Sequence, residues 1–222
     1  MTTKVLNLYA GIGGNRKLWE DVDVTAVEWD EDMANVYRDK FPDDTIIKTD
    51  AHDYLKNNYS KYDFIWASPP CPTHSKVYQL KAGEGEQNDA VYPDMRLYQE
   101  ILFLKGYFSG DWIVENVQPW YDPLIDCQKV GRHTFWSNYV IGDFDVPPQN
   151  NQATDFKQLQ EHVGMNIEKY DFNCERDTGR RDNPRDKKIR ALRNCVHPEL
   201  GKHAFEAATT NRQTTADMWV QA

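Results

Sequence analysis

Cysteine is scarce in this chain, and long apolar runs are missing from it. The four cysteines, at 71, 127, 174 and 195, include no close pair and no Cys-x-x-Cys. That spacing excludes a disulfide scaffold and suits a reducing compartment. No stretch approaches the roughly 20 apolar residues of a membrane span, and no early apolar run has the form of a signal peptide. A cytoplasmic protein with no membrane partner is expected. A mean hydropathy of −0.79 is polar for a folded chain. Even so, 222 residues suffice for one large α/β domain, or one domain with a small insert.

Positive charge is also short, with a net of −9. The total speaks against phosphate binding, but its distribution matters more. Residues 1–150 hold 14 basic and 24 acidic side chains, whereas 151–222 hold 12 and 11. Between Arg176 and Arg193, eight basic side chains stand against three acidic ones. That run reads either as a nucleic-acid contact or as a solvated loop.

What the chain does contain is an alternation of strands and helices. Lys4 to Leu8 reads as a strand running into Tyr9-Ala10-Gly11-Ile12-Gly13-Gly14, with an amphipathic stretch to Glu20 behind it. A glycine-rich turn between strand and helix lets backbone approach a nucleotide-like ligand. The full G-x-G-x-x-G spacing is missing, so a purely structural turn is the alternative. Val22 to Val27 is a second strand ending in Glu28-Trp29-Asp30, and Asp32 to Phe41 a helix. Thr45 to Lys48 is a third strand, followed by Thr49-Asp50-Ala51-His52. An acid after the second strand suits ribose hydroxyls, Trp29 an adenine face and Asp50 an exocyclic amine. Each acid alone reads as a helix cap or surface residue. Together they favour a nucleoside cofactor.

Tyr62 to Trp66 is a fourth strand that leads into Ala67-Ser68-Pro69-Pro70-Cys71-Pro72. Proline fixes φ near about −65° and pushes the residue before it into extended backbone, so this loop has few conformations. A thiol held that way is a candidate nucleophile, the alternative being a buried cysteine in a proline turn. Residues 76 to 93, with Gly83 and Gly85, read as a mobile surface loop. Asp94 to Tyr107 has helical spacing, with Met95, Leu97, Tyr98, Ile101, Leu102 and Leu104 as its apolar face. Trp112 to Val114 is a fifth strand ending in Glu115-Asn116-Val117, and His133 to Ile141 an arm of a further strand or hairpin. Pro147 to Gln152 reads as a linker, and Ile189 to Ala208 as a turn and helix with Pro198 near the helix start.

Leu8-Tyr9-Ala10-Gly11-Ile12-Gly13-Gly14, Glu28-Trp29, Pro70-Cys71 and Glu115-Asn116-Val117 follow one another in a telling order. In this the chain resembles the DNA cytosine carbon-5 methyltransferases, in a compact form such as bacteriophages encode. Arg193-Asn194-Cys195-Val196-His197-Pro198 is similar to the family's last motif. The resemblance implies a Rossmann-like S-adenosylmethionine-dependent methyltransferase fold, mostly parallel sheet with helices on both faces. It implies a catalytic and cofactor-binding domain over 1–146, a reduced target-recognition region over 147–190, and a segment over 191–222 returning to the catalytic domain.

It also implies a reaction. A monomer in the (host) cytoplasm would methylate carbon 5 of cytosine in double-stranded DNA, on a base flipped out of the stack. Cys71 would be the thiolate that adds to carbon 6. Glu115 would meet ring nitrogen 3 and the exocyclic amine as a protonated acid, and Arg132 would steady the base and Glu115. Tyr9, Gly11, Ile12 and Gly14 would approach S-adenosylmethionine, Glu28 its ribose, Trp29 the adenine face, and Asp50 and Ala51 the adenine edge. Pro70, Leu97, Asn194 and Val196 would complete that pocket, with ordinary core packing the alternative for Leu97 and Val196. Arg180, Arg181, Arg185, Lys187 and Lys188 would contact DNA. No metal is expected, since Cys174, Cys195, His197 and His203 match no common zinc spacing.

Four positions depart from the family pattern. Asn7 replaces an acid, Pro72 a glutamine and Arg193 a glycine, while Arg132-His133-Thr134 keeps one arginine of two. Competing readings are an amino-group DNA methyltransferase, to which Ser68-Pro69-Pro70 points, an RNA cytosine methyltransferase, and a non-catalytic acidic DNA mimic active against restriction.

Overall fold

The computed structural model describes residues 2–81, 91–147, 155–173 and 183–208. Strands β1 (Thr3–Leu8), β2 (Val22–Val27), β3 (Thr45–Ile47), β4 (Phe64–Ala67) and β5 (Asp111–Val117) run parallel. β6 (Gln128–Val130) and β7 (His133–Ser137) form a hairpin, and β7 lies antiparallel to β5. The order across the sheet is β3-β2-β1-β4-β5-β7-β6. The chain therefore leaves β1 on one side for β2 and β3, then crosses to β4 on the other. That reversal opens a crevice at the carboxyl edge between β1 and β4, where open α/β sheets bind ligands.

Seven helices accompany the strands among the described residues: α1 (Glu31–Lys40), α2 (Ala51–Asn58), α3 (Lys76–Lys81), α4 (Arg96–Tyr107), α5 (Phe156–Val163), α6 (Pro184–Asn194) and α7 over 198–208. Strand alternation sorts the central residues onto two faces. Leu6, Leu8, Ile65 and Ala67 meet Leu55 of α2 and Leu97, Ile101 and Leu104 of α4. Val5, Phe64, Trp66 and Ile113 meet Trp19 and, from α7, Leu200, Ala204 and Phe205. Coverage on both sides is why β4 reads as an apolar run. Each large side chain so buried contributes about 1.5–3 kcal/mol. The result is the expected Rossmann-like architecture.

Several local expectations need correction. The stretch after the glycine turn is a single 3-10 turn, Asn15–Leu18, and not an amphipathic helix. Asn15 is spent inside, its Nδ2 donating to Asn7 Oδ1 at 2.9 Å, and Trp19 leaves the turn to donate from Nε1 to Gly201 O at 3.0 Å. Residues 76–81 are helical, whereas a surface loop is expected there. Glu115-Asn116-Val117 lies within β5 and not beyond it, because β7 pairs with those residues. On α4, Met95 and Leu102 are exposed and only Leu97, Tyr98, Ile101 and Leu104 are buried from the predicted apolar face. The linker expected at Pro147 to Gln152 falls almost wholly outside the described residues, as do Cys174, Arg176, Arg180 and Arg181.

The described parts of 147–190 do not stand apart from the rest. Leu159 and Val163 of α5, Met165, Ile167, Phe172 and Leu192 of α6 pack with Ile12 of the glycine turn and Val36 of α1. Asn183 caps α6, its side chain accepting from Arg185 N, and Pro184 stands in the first turn. Lys187 departs from the expected DNA face. It is buried, its Nζ 2.8 Å from Asp30 Oδ2 and 2.5 Å from Asp32 Oδ2, and so ties α6 to α1. Lys188 donates to Glu168 O at 2.9 Å, while Arg185 is exposed.

Candidate active site

The turn after β1 is built for close approach. Tyr9 and Gly11 both take positive φ, at 56° and 55°. For glycine that conformation is free, whereas for tyrosine it costs energy and marks a position held by its surroundings. The hold on Tyr9 is its hydroxyl, which donates to the wholly buried Glu100 of α4. His52 Nδ1 lies 3.1 Å from the same oxygen. A side chain at Gly11 would meet nothing within 4 Å, so its backbone faces open space. One at Gly14 would come within 2.8 Å of Cys195 Cβ and of Val196 O, so here glycine permits the last motif to sit against the first.

Glu28, at the end of β2, closes the turn from the side. Its Oε2 accepts from Gly11 N and its Oε1 from Asp30 N, each at 2.8 Å. Burial raises the Glu28 carboxyl above its usual range, against the pull of these backbone donors. Trp29 beside it stands exposed. Asp50 proves to be the cap of α2, accepting from Asp53 N at 3.0 Å, and its Oδ2 is 3.9 Å from Arg96 Nη1. The cap and ligand readings of Asp50 are therefore compatible, since only one carboxylate oxygen is used by the helix.

The proline-cysteine loop after β4 is pinned at both ends. Asn116 Nδ2 donates to Pro69 O at 2.9 Å from within β5. Beyond the cysteine, His74 N and Ser75 N both donate to Cys71 O at 3.0 Å. The His74 ring is buried, with Nδ1 2.6 Å from the Tyr121 hydroxyl and Nε2 3.1 Å from Asp94 O. A carbonyl only accepts, so Nε2 carries the proton and Nδ1 accepts from the tyrosine. Burial, and then the nearby Glu115 charge, push the Cys71 thiol up, while Arg132 pulls it down.

β5 and β7 bring the remaining groups. Glu115 pairs with Phe135 and Val117 with His133, which makes Glu115 and His133 diagonal neighbours on one sheet face. His133 Nδ1 lies 2.6 Å from Glu115 Oε1, with both side chains buried. Arg132 does not make that contact. Its Nη2 donates to Arg193 O at 2.9 Å and Cys195 O at 3.1 Å, fastening the last motif to the hairpin.

Two adjoining cavities result. One, of about 260 Å³, is lined by Cys71, Glu115, Arg132, His133 and the glycine turn, and by Asn194 and Val196. The second, of about 670 Å³, is lined by Trp29, Asp50, Ala51 and Leu97. Tyr9, Glu28, Pro70, Cys71 and Asn194 border both. Every residue expected to catalyse or to hold the cofactor thus faces this double crevice. Lys187 does not, and Arg185 and Lys188 lie on α6 away from its lining. Arg190 borders both cavities and Arg193 the smaller one. His133, Asn116 and His74 escaped sequence reasoning, although Asn116 stood inside a quoted motif and His133 directly after Arg132. Among the described residues no group of three His, Cys, Asp or Glu side chains is placed to hold a metal ion, and no helix is long and apolar enough to cross a membrane.

No curated protein matches the chain. Among solved structures it is similar to a DNMT2 mutant from Spodoptera frugiperda, at 25% identity and a TM-score of 0.37, covering 52% of this chain and 35% of that one. It is also similar to a SAM-dependent methyltransferase from Agrobacterium tumefaciens, at 16% identity and a TM-score of 0.37, covering 55% and 40%. The chain therefore spans well under half the length of either. The profile of the C-5 cytosine-specific DNA methylases matches residues 3–117, more than half of the sequence. The chain belongs to the C-5 cytosine-specific DNA methylase family.

Proposed function

We propose that the protein methylates carbon 5 of cytosine in double-stranded DNA, with S-adenosylmethionine as donor, acting as a monomer on a base turned out of the duplex. One observation carries this reading: Cys71, Glu115 and Arg132 share a single crevice with the glycine turn. A thiol, a carboxyl and a cation at the rim of a nucleoside-sized cavity form the set needed for attack on a pyrimidine ring.

The residues present fit the cofactor. Each Glu28 oxygen already accepts one backbone N–H and retains capacity for a ribose hydroxyl. Gly11 leaves open space for a ligand, and Trp29 and Leu97 line the wider cavity on which an adenine would lie. When bound, S-adenosylmethionine supplies an electrophilic methyl group.

The chain's own groups do the remainder. Cys71 sulfur adds to carbon 6, which makes carbon 5 nucleophilic; Glu115 gives nitrogen 3 a proton and takes it back when the sulfur leaves. Arg132 favours the thiolate, opposing burial and Glu115. A duplex base cannot reach this sulfur while stacked, so the base must swing out. Arg185 and Lys188, with Arg180 and Arg181, supply phosphate contacts that offset the overall −9.

Duplex DNA carrying 5-fluorocytosine tests the reading, because loss of the carbon-5 proton is then blocked. A covalent adduct is expected with S-adenosylmethionine present and none with Cys71→Ala, which should still bind the cofactor. Failure to trap fluorinated cytosine in DNA or RNA would refute the covalent route, and trapping in RNA alone would move the substrate.

A further inference from the structure

We infer that His133 positions Glu115 for proton donation to the base. Its Nδ1–H occupies one carboxyl oxygen and turns the other toward nitrogen 3, and it supports donation only while the imidazole is neutral. The inference rests on the methyltransferase reading above and assigns a residue which that reading leaves without a role.

Three features of the site support it. The Nδ1 to Oε1 distance is 2.6 Å, at the short end for a hydrogen bond, with both side chains buried. The imidazole is itself held: Phe135 stacks on it with ring centroids 6.0 Å apart and planes at 29°, and β6 places Val130 opposite in the ladder. The neighbouring Arg132 turns its Nη2 to Arg193 O and Cys195 O, and His133 is the side chain bonded to Glu115. Orientation of the Glu115 carboxyl therefore falls to His133.

The proton inventory follows. As the Cys71 Sγ–C6 bond forms, the C5=C6 pair moves to C4–C5 and the C4=N3 pair moves onto N3. N3 takes the proton from the free oxygen of Glu115. The carboxylate that remains keeps its bond from Nδ1–H. Once C5 carries the methyl group and C4=N3 is restored, the C5–H proton passes to water, its bonding pair becomes C5=C6 as the C6–S pair leaves with sulfur, and N3 returns its proton to Glu115. A protonated imidazole changes this balance. An adjacent cation favours the ionised carboxylate, which has no proton to give.

The charged or titratable groups lining the cavity around this pair are Tyr9, Glu28, Cys71, Arg132, Arg190, Arg193 and Cys195, and burial raises both the Tyr9 hydroxyl and the Glu28 carboxyl. The three arginines stay cationic throughout. Burial pushes the Cys195 thiol up to about 12, out of the working range. Histidine is the side chain whose charge ordinarily changes between about pH 5 and 8, and His133 is the histidine lining this cavity. Cys71 is the other group that must lose a proton, its thiol being raised by burial and Glu115.

Two losses on the acid side give a distinctive signature. Single-turnover methyl transfer to duplex DNA, followed from about pH 5 to about pH 9, should fall at the acid end with a limiting log-rate slope of about two. His133→Gln retains a donor but not a charge change. It should keep its rate at about pH 8 within about tenfold and show a slope of about one. His133→Ala should be about a hundredfold slower at every pH, with S-adenosylmethionine affinity unchanged. A slope of two persisting in His133→Gln, or equal rates for the Gln and Ala variants, would overturn the inference and leave the methyltransferase reading intact. A second readout needs no activity: a low-field proton resonance of His133 Nδ1–H, identified by 15N labelling, expected in the unaltered protein and lost in Glu115→Ala. Its absence from the unaltered protein also overturns the inference. If the resonance is present but the unaltered protein transfers no methyl group, the methyltransferase reading falls and the catalytic role of His133 falls with it.

Discussion

Lys187 gives the sharpest test of how the second half of the chain is used. Composition assigns it to a basic DNA-contacting run, whereas the fold encloses it between Asp30 and Asp32 with its Nζ 5.8 Å from the Phe172 ring. Replacement by methionine keeps the length and the ring contact but removes the charge. Breaking a buried ion pair by removing one partner costs roughly 3–5 kcal/mol, because the remaining charge stays desolvated. Here the Asp30 side chain is 37% exposed, against 10% for Lys187 and 11% for Asp32, so water relieves part of that cost. A loss of about 2 kcal/mol is expected, or about 6 °C in Tm for a chain of this size.

Burial lowers the proton affinity of the Lys187 ammonium, but bonds from Asp30 and Asp32 outweigh it and hold the group above its usual range. The folded-state value is the raised one. Its contribution is thus complete below the ordinary lysine range and fades only as pH rises through it. Thermal melts at neutral pH therefore see the whole effect. Salt dependence of DNA affinity is the companion assay: Lys187→Met should leave the slope unchanged, whereas Arg185→Ala should reduce it by about one with little change in Tm. An unchanged Tm together with a flatter slope for Lys187→Met would refute the enclosed placement and return the side chain to the DNA face.

Asn116→Ala removes the donor to Pro69 O, an orphaned-acceptor cost of about 1–3 kcal/mol, and should slow 5-fluorocytosine adduct formation about tenfold or more while cofactor affinity holds; an unchanged adduct rate would show that the loop needs no such tie. Gly14→Ala sets a methyl group 2.8 Å from Val196 O and should lower stability by about 1–3 kcal/mol, read as a lower Tm; a neutral result would deny the close approach of first and last motifs. His74, His162 and His197 are each held below the usual histidine range, burial being the largest cause in all three. Below about pH 6.5 the unfolded chain takes up protons that the folded chain refuses, so the urea midpoint should fall as pH drops through that region. His52, raised by its bond to Glu100, works in the opposite sense, and a midpoint that rises on acidification would mean that it prevails.

The contrast between what could and could not be read from the residues has a physical pattern. β4 was legible because both its faces are covered, which forces the apolar run Phe64 to Ala67, and β1 through the alternation of apolar and polar residues from Lys4 to Leu8. The glycine turn, Glu28 and Cys71 were legible because all follow strands at one edge of the sheet, so local order already implies a common site. α5 and α6 were not, since their buried residues are sparse among polar ones and the partners of Lys187 lie 155 residues away in the case of Asp32. The site shows the same limit at single-residue scale. Arg132 and His133 are adjacent and line the same cavity, and the register of β7 against β5 decides which one meets Glu115. A slip of one residue would exchange a permanent cation for a titratable ring at the catalytic carboxyl. Motif reading selects Arg132 because it matches one arginine of the family's later catalytic motif. The ladder pairing Val117 with His133 selects the histidine, and with it the pH dependence that the Gln variant is designed to remove.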